Sequence, residues 1–119
     1  WIGRSYEELL EDAELIQRPL QSTNYAENIY WVYGVVLDDS VPFDAKEAMG
    51  RLARKGVGTR PFFWCMHEQP VLRKVGLFAD DSHPHAERAA RRGFYLPSGL
   101  GLTEEQIVRS AEALKEILA

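Results

Sequence analysis

The stretch from Asn28 to Leu37 constrains the fold more than any other part of the chain. Tyr30, Trp31, Val32, Tyr33, Val35 and Val36 are aromatic or β-branched, the side chains that suit a pleated ribbon better than a helix. Successive side chains of a strand point to opposite faces, so Tyr30, Val32 and Val36 share one face and Trp31, Tyr33, Val35 and Leu37 the other. A strand apolar on both faces has to be covered on both, and the rest of the chain must supply the cover.

Helices are available for that purpose. Ser5 followed by Glu8 fits a capping box, and Tyr6, Leu9, Leu10, Ala13 and Ile16 recur at helical spacing, which predicts a helix to about Gln17 that Pro19 stops. Asp44 and Glu47 repeat the capping pattern ahead of Ala48, Met49, Leu52 and Ala53, and Gly56 stands where a left-handed cap would end that helix. Ser82 is placed to cap a third helix, with Arg88, Arg91 and Arg92 in its last turn against the negative end of the dipole and Gly93 terminating it. Thr103 and Gln106 open a fourth, whose apolar stripe is Ile107, Ala111, Leu114 and Leu118. Val57 to Trp64 and Phe94 to Pro97 read as short strands, and Glu68 to Ala79 as a loop with one helical turn. The class expected is α+β: a small mostly antiparallel or mixed sheet with about four packed helices.

With 119 residues the chain is one domain, residues 1–119. Its 18 acidic and 14 basic side chains leave a net charge of −4, which repels nucleic acid. Cys65 is the only cysteine and cannot form an internal disulfide, and no apolar run approaches the roughly 20 residues of a membrane-spanning helix, so no membrane partner and a cytoplasmic location are expected. Trp1 opens the chain in place of a Met, and Ile2-Gly3-Arg4 does not begin a secretory signal, so the expectation is a piece of a longer protein.

Chemistry-bearing residues concentrate between Gly56 and Pro70. Arg60, the aromatics Phe62, Phe63 and Trp64, and His67 could together form a ligand wall, because a guanidinium grips phosphate or carboxylate and aromatic faces support a ring. A buried strand whose Arg and His are satisfied by neighbours explains the same residues. The glycines around Val57 lack the Lys-Ser/Thr ending of a phosphate loop. Cys65, His67, His83 and His85 have the right count for zinc, but one-residue spacings are tighter than ordinary ligand pairs, and no metal is expected. Cys65 beside His67 suggests a thiol nucleophile, yet no helix N-terminus or orienting third residue accompanies it.

Five segments in order carry a more specific signal: Glu27-Asn28-Ile29-Tyr30-Trp31-Val32-Tyr33, Gly56-Val57-Gly58-Thr59-Arg60-Pro61-Phe62-Phe63, Met66-His67-Glu68-Gln69-Pro70, Gly93-Phe94-Tyr95-Leu96-Pro97-Ser98 and Leu102-Thr103. Together they resemble the C-terminal part of the perosamine synthase-like nucleotide-sugar aminotransferases, over nearly the whole chain. The resemblance implies the small C-terminal domain of a fold type I enzyme that uses pyridoxal phosphate. An N-terminal large domain, absent here, would hold the cofactor, and the parent would be a homodimer moving an amino group onto a nucleotide-linked keto-deoxysugar. Lys46, Lys55, Lys74 and Lys115 do not resemble the family's cofactor lysine, so the chain is expected to hold no catalytic residue and no cofactor, and to be inactive alone. Thr59, Arg60, Phe63 and His67 are the substrate contacts the resemblance suggests. A separated small domain should also expose apolar surface among Trp1, Ile2, Phe62, Phe63 and Trp64. Two other readings are a stand-alone small-molecule-binding or protein-interaction module, and a small hydrolase using Cys65 and His67.

Overall fold

The computed structural model describes residues 1–119. In chain order the elements are α1 (Ile2–Leu9), β1 (Ile16–Gln17), β2 (Tyr33–Leu37), α2 (Ala45–Arg54), β3 (Arg60–Pro61), a 3-10 turn (Met66–Glu68), α3 (Pro70–Lys74), α4 (Pro84–Arg92), β4 (Gly93–Leu96) and α5 (Glu104–Leu118). The strands form one antiparallel sheet in the order β1-β2-β4-β3, so the fold is α+β as expected.

Register decides which side chains meet. Tyr33 lies opposite Leu96, Val35 opposite Phe94 and Ile16 opposite Leu37, so these six apolar residues share one face. That face and helices α1, α2 and α5 enclose the core, in which Tyr6, Leu10, Ala48, Leu52, Ile107, Ala111 and Leu114 are buried. The other face carries Gly34, Val36, Gly93 and Tyr95 and is covered by the ring of Phe62, which stacks on Tyr95 at 4.6 Å. A Cβ on Gly34 would meet that ring at 2.9 Å and one on Gly93 at 2.6 Å, so both glycines make room for it.

The caps of α2 and α5 form as the sequence predicts. Asp44 accepts from the Glu47 N–H at 2.8 Å, and Thr103 and Gln106 complete a reciprocal capping box. Gly56 follows α2 at φ 78°, and Val57 N–H reaches back to the Leu52 carbonyl, closing the helix in a left-handed turn.

Other boundaries moved. Helix α1 starts at Ile2 and ends at Leu9; Ser5 lies inside it and donates to the Trp1 carbonyl instead of capping. Ile16, expected on that helix, pairs with Leu37 because a position beside β2 buries it in the core. Strand β2 begins five residues later than Asn28: Asn28 Oδ1 takes the Tyr30 N–H at 2.7 Å, and Tyr30 sits at φ 50°, which breaks the extended run. Trp31 is consequently 73% exposed. Only Arg60 and Pro61 of the Val57 to Trp64 stretch pair with the sheet, on an edge where Pro's missing N–H is tolerated. His83, not Ser82, stands at the N-cap position of α4, and its side chain makes no capping hydrogen bond. Arg88 and Arg92 do more than face a dipole: Arg88 bonds Asp39 and the Leu37 carbonyl, and Arg92 the carbonyls of Asp38, Val41 and Phe43, tying the 38–43 loop to α4.

Candidate functional site

Edge strand β3 presents Arg60 opposite Tyr95 and leaves it exposed, with Thr59 half-buried just ahead of it. Beyond the sheet-covering Phe62, the chain turns outward, and Phe63 and Trp64 are 78% and 48% exposed. Trp64 carries the Arg91 guanidinium over its ring, 4.9 Å from the centroid. Trp1 is also exposed at 68%, while Ile2 and Phe62 are half-buried, so three of the five residues expected to lie bare do so. Met66, Val71, Val75 and Leu77 extend the apolar surface along the same part of the chain.

His67 is not on that surface. It is 5% exposed, and its Nε2 lies 2.9 Å from Oε1 of Glu87 on α4. The His83 ring meets it edge-on at 4.8 Å, and Arg73 donates to its carbonyl at 2.9 Å. Glu87 also accepts the His83 N–H at 2.8 Å, and that bond, followed by the one from His67, holds its carboxyl below the usual range. Glu68 pairs with Arg91 at 2.6 Å. The structure thus leaves Arg60 and Phe63 exposed with Thr59 half-buried, and places His67 inside against the half-buried Glu87, with the exposed His83 packed on its ring. Sequence reasoning missed Glu87; its place in the first turn of a Pro84-started helix, four residues after His83, was the available signal.

Cys65 is buried, and burial first, then the Glu68 charge, pushes its thiol up. A thiol held protonated is a poor nucleophile, and the Nε2 of His67 is engaged by Glu87 and not by Cys65, which counts against a Cys65–His67 hydrolase. A second concave region lies away from this segment: an open groove of about 740 Å³ bordered by Trp1, Arg4, Glu8, Gln21, Asn28 and Tyr30. Glu7 also lines it, a buried carboxylate that accepts from Tyr33 at 2.9 Å, Arg18 at 3.1 Å and Gln21 at 3.2 Å. Glu7 was unforeseen too, although its position four residues after Gly3 and three before Leu10 puts it on the inward face of α1.

The lysines do not fit a bound pyridoxal phosphate. Lys55 and Lys115 are engaged by Glu116 and Asp12, and Lys46 and Lys74 are exposed, whereas an imine-forming amine needs an enclosed site that favours its neutral form.

Comparison with known proteins gives this arrangement its context. GDP-perosamine synthase of Caulobacter vibrioides is 31% identical over 91 residues, covering 76% of this chain and 24% of that enzyme. The structure of Helicobacter pylori PseC, an aminotransferase involved in the biosynthesis of pseudoaminic acid, superposes with a TM-score of 0.82 at 13% identity, covering 98% of this chain and 31% of that one. Bacillus subtilis NtdA, solved with bound cofactor PMP, gives a TM-score of 0.78 at 18% identity over 98% of this chain and 27% of its own. The chain spans about a quarter of the length of the curated relatives it matches. The sequence profile of the DegT/DnrJ/EryC1/StrS aminotransferases matches residues 2–115, and the chain belongs to that family.

Proposed function

We propose that this chain is the C-terminal small domain of a pyridoxal-phosphate-dependent aminotransferase acting on a nucleotide-linked keto-deoxysugar, and that it is inactive alone. The observation that carries the reading is a family match across the whole fold in a chain about a quarter as long as its relatives, none of whose lysines is placed to hold the cofactor. When bound in the parent, pyridoxal phosphate supplies the electron sink for amino transfer. The residues of this chain act on the substrate side. Arg60 is exposed and able to grip an anionic group of the sugar nucleotide, Phe63 offers an exposed ring, and Thr59 a hydroxyl. His67 holds the segment from within through Glu87. The exposed apolar surface from Phe63 to Leu77 is covered by the large domain or by the second subunit of a homodimer. The cytoplasm is the compartment proposed, a lone unpaired Cys65 being compatible with it.

The test is to incubate the chain with pyridoxal phosphate, reduce with borohydride and weigh the product, alongside an assay of amino transfer from glutamate to a nucleotide-linked keto sugar. No turnover, and at most scattered low-level adducts on exposed amines with no single lysine modified stoichiometrically, are expected from the 119-residue chain. A single reduced adduct accompanied by turnover would overturn the reading.

A further inference from the structure

Metal-ligating side chains converge where the 3-10 turn meets the start of α4. The ligand atoms of His67, Glu68 and Glu87 all lie within 4.8 Å of one another, His67 buried and the two carboxylates half-buried. The His83 ring stands beside His67, at 4.8 Å between centroids. One oxygen of Glu68 is taken by Arg91, but the other, Oε2, is enclosed with no hydrogen-bond partner. An enclosed acceptor without a donor is costly, and in native proteins it calls for an explanation. A cation at this point would satisfy it, as would a hydrogen-bonding water.

We propose that His67, Glu68 and Glu87 form a binding site for a divalent transition metal of the zinc class, with His83 or water as the fourth ligand. Imidazole nitrogen with carboxylate oxygen is a donor set that suits such ions. Two carboxylates face the guanidinium groups of Arg91 and Arg73, so the cluster is close to neutral when the imidazoles are neutral. Ligand bonds of about 2.0–2.2 Å in a tetrahedron separate the donor atoms by about 3.3–3.6 Å. The 2.9 Å His67–Glu87 pair therefore opens by a few tenths of an ångström, and the widest separation, 4.8 Å, closes by side-chain rotation. Arg91 and the positive end of α4 oppose the ion and weaken its binding. The bound ion would clamp the turn after β3 onto α4. Sequence spacing pointed away from a metal because it paired Cys65 with His67 and His83 with His85; the fold supplies Glu68 and Glu87 instead, and His85 stays exposed.

The experiment is a cobalt titration of the 119-residue chain followed by visible absorbance, with zinc competition followed by calorimetry. One saturable site with the intense bands of a four-coordinate cobalt centre is expected. Glu68→Gln and Glu87→Gln should each weaken it about tenfold or more, and His85→Ala should leave it unchanged. Circular dichroism identifies any variant that fails to fold, and the other carboxylate variant then decides. No saturable binding at millimolar cobalt would overturn the proposal, as would a weak six-coordinate spectrum or binding that both carboxylate variants retain. The outcome is independent of whether the parent is a sugar aminotransferase.

Discussion

The Tyr33 hydroxyl donates to Oε1 of Glu7 across 2.9 Å in the buried space between β2 and α1. Both residues are enclosed, and the ring of Tyr33 lies 4.9 Å from that of Tyr6, whose own hydroxyl donates to the Pro97 carbonyl. A charged acceptor inside the core is stable here because Tyr33, Arg18 and Gln21 all donate to it.

Glu7→Ala leaves those donors without their acceptor, with the Tyr33 hydroxyl the most deeply enclosed. The expected cost is about 2–3 kcal/mol in urea unfolding, with Glu7→Gln costing less because it still accepts from Tyr33. A loss below about 0.5 kcal/mol in Glu7→Ala would show that the network contributes little.

Alkaline titration should separate the five tyrosines. Burial first, then the bond to the Glu7 carboxylate, pushes the Tyr33 phenol far up, and burial raises Tyr6. A raised folded-state value means that the folded protein holds the proton more tightly than the unfolded chain. The associated stability is therefore complete below the ordinary tyrosine value of about 10 and declines as the pH rises beyond it. Ultraviolet absorbance should show Tyr6 and Tyr33 ionising only together with loss of the near-ultraviolet dichroism. Their ionisation in a protein still folded would contradict this.

Gly93→Ala places a Cβ 2.5 Å from the Ala89 carbonyl and 2.6 Å from the Phe62 ring. The carbonyl belongs to helix α4 and cannot move aside, so the expected destabilisation is about 1–3 kcal/mol by thermal unfolding. Combining it with Phe62→Ala should recover only the part due to the ring, and full recovery would mean that the backbone contact is harmless.

Arg60→Ala distinguishes a binding residue from a structural one. Arg60 is exposed, so its loss should change stability by no more than about 0.5 kcal/mol. In the parent enzyme the same change should raise KM for the nucleotide sugar about tenfold or more, the effect of removing a charge-assisted contact. An unchanged KM would exclude Arg60 from the substrate site.

Sequence by itself determined whatever depends on neighbours three or four residues apart. The Asp44 cap, the Thr103–Gln106 box, the left-handed Gly56 and the apolar stripe of α5 stand where their spacing puts them, as do Ala48, Met49 and Leu52 of α2 though not the exposed Ala53, because a helix satisfies its hydrogen bonds locally. The α+β class followed from the same signals together with the β-branched stretch that became β2. Tertiary structure decided the rest. Whether Ile16 ended a helix or paired with Leu37 depended on the energy of covering β2, and Gly93–Leu96 became a central strand because β2 and β3 flank it. In the site, Arg60 and Phe63 were legible as an unusual local cluster, but nothing in the 59–70 segment could reveal that Glu87 would draw His67 inward. That pairing joins residues 20 positions apart, through a helix whose placement on the sheet only the packed fold sets.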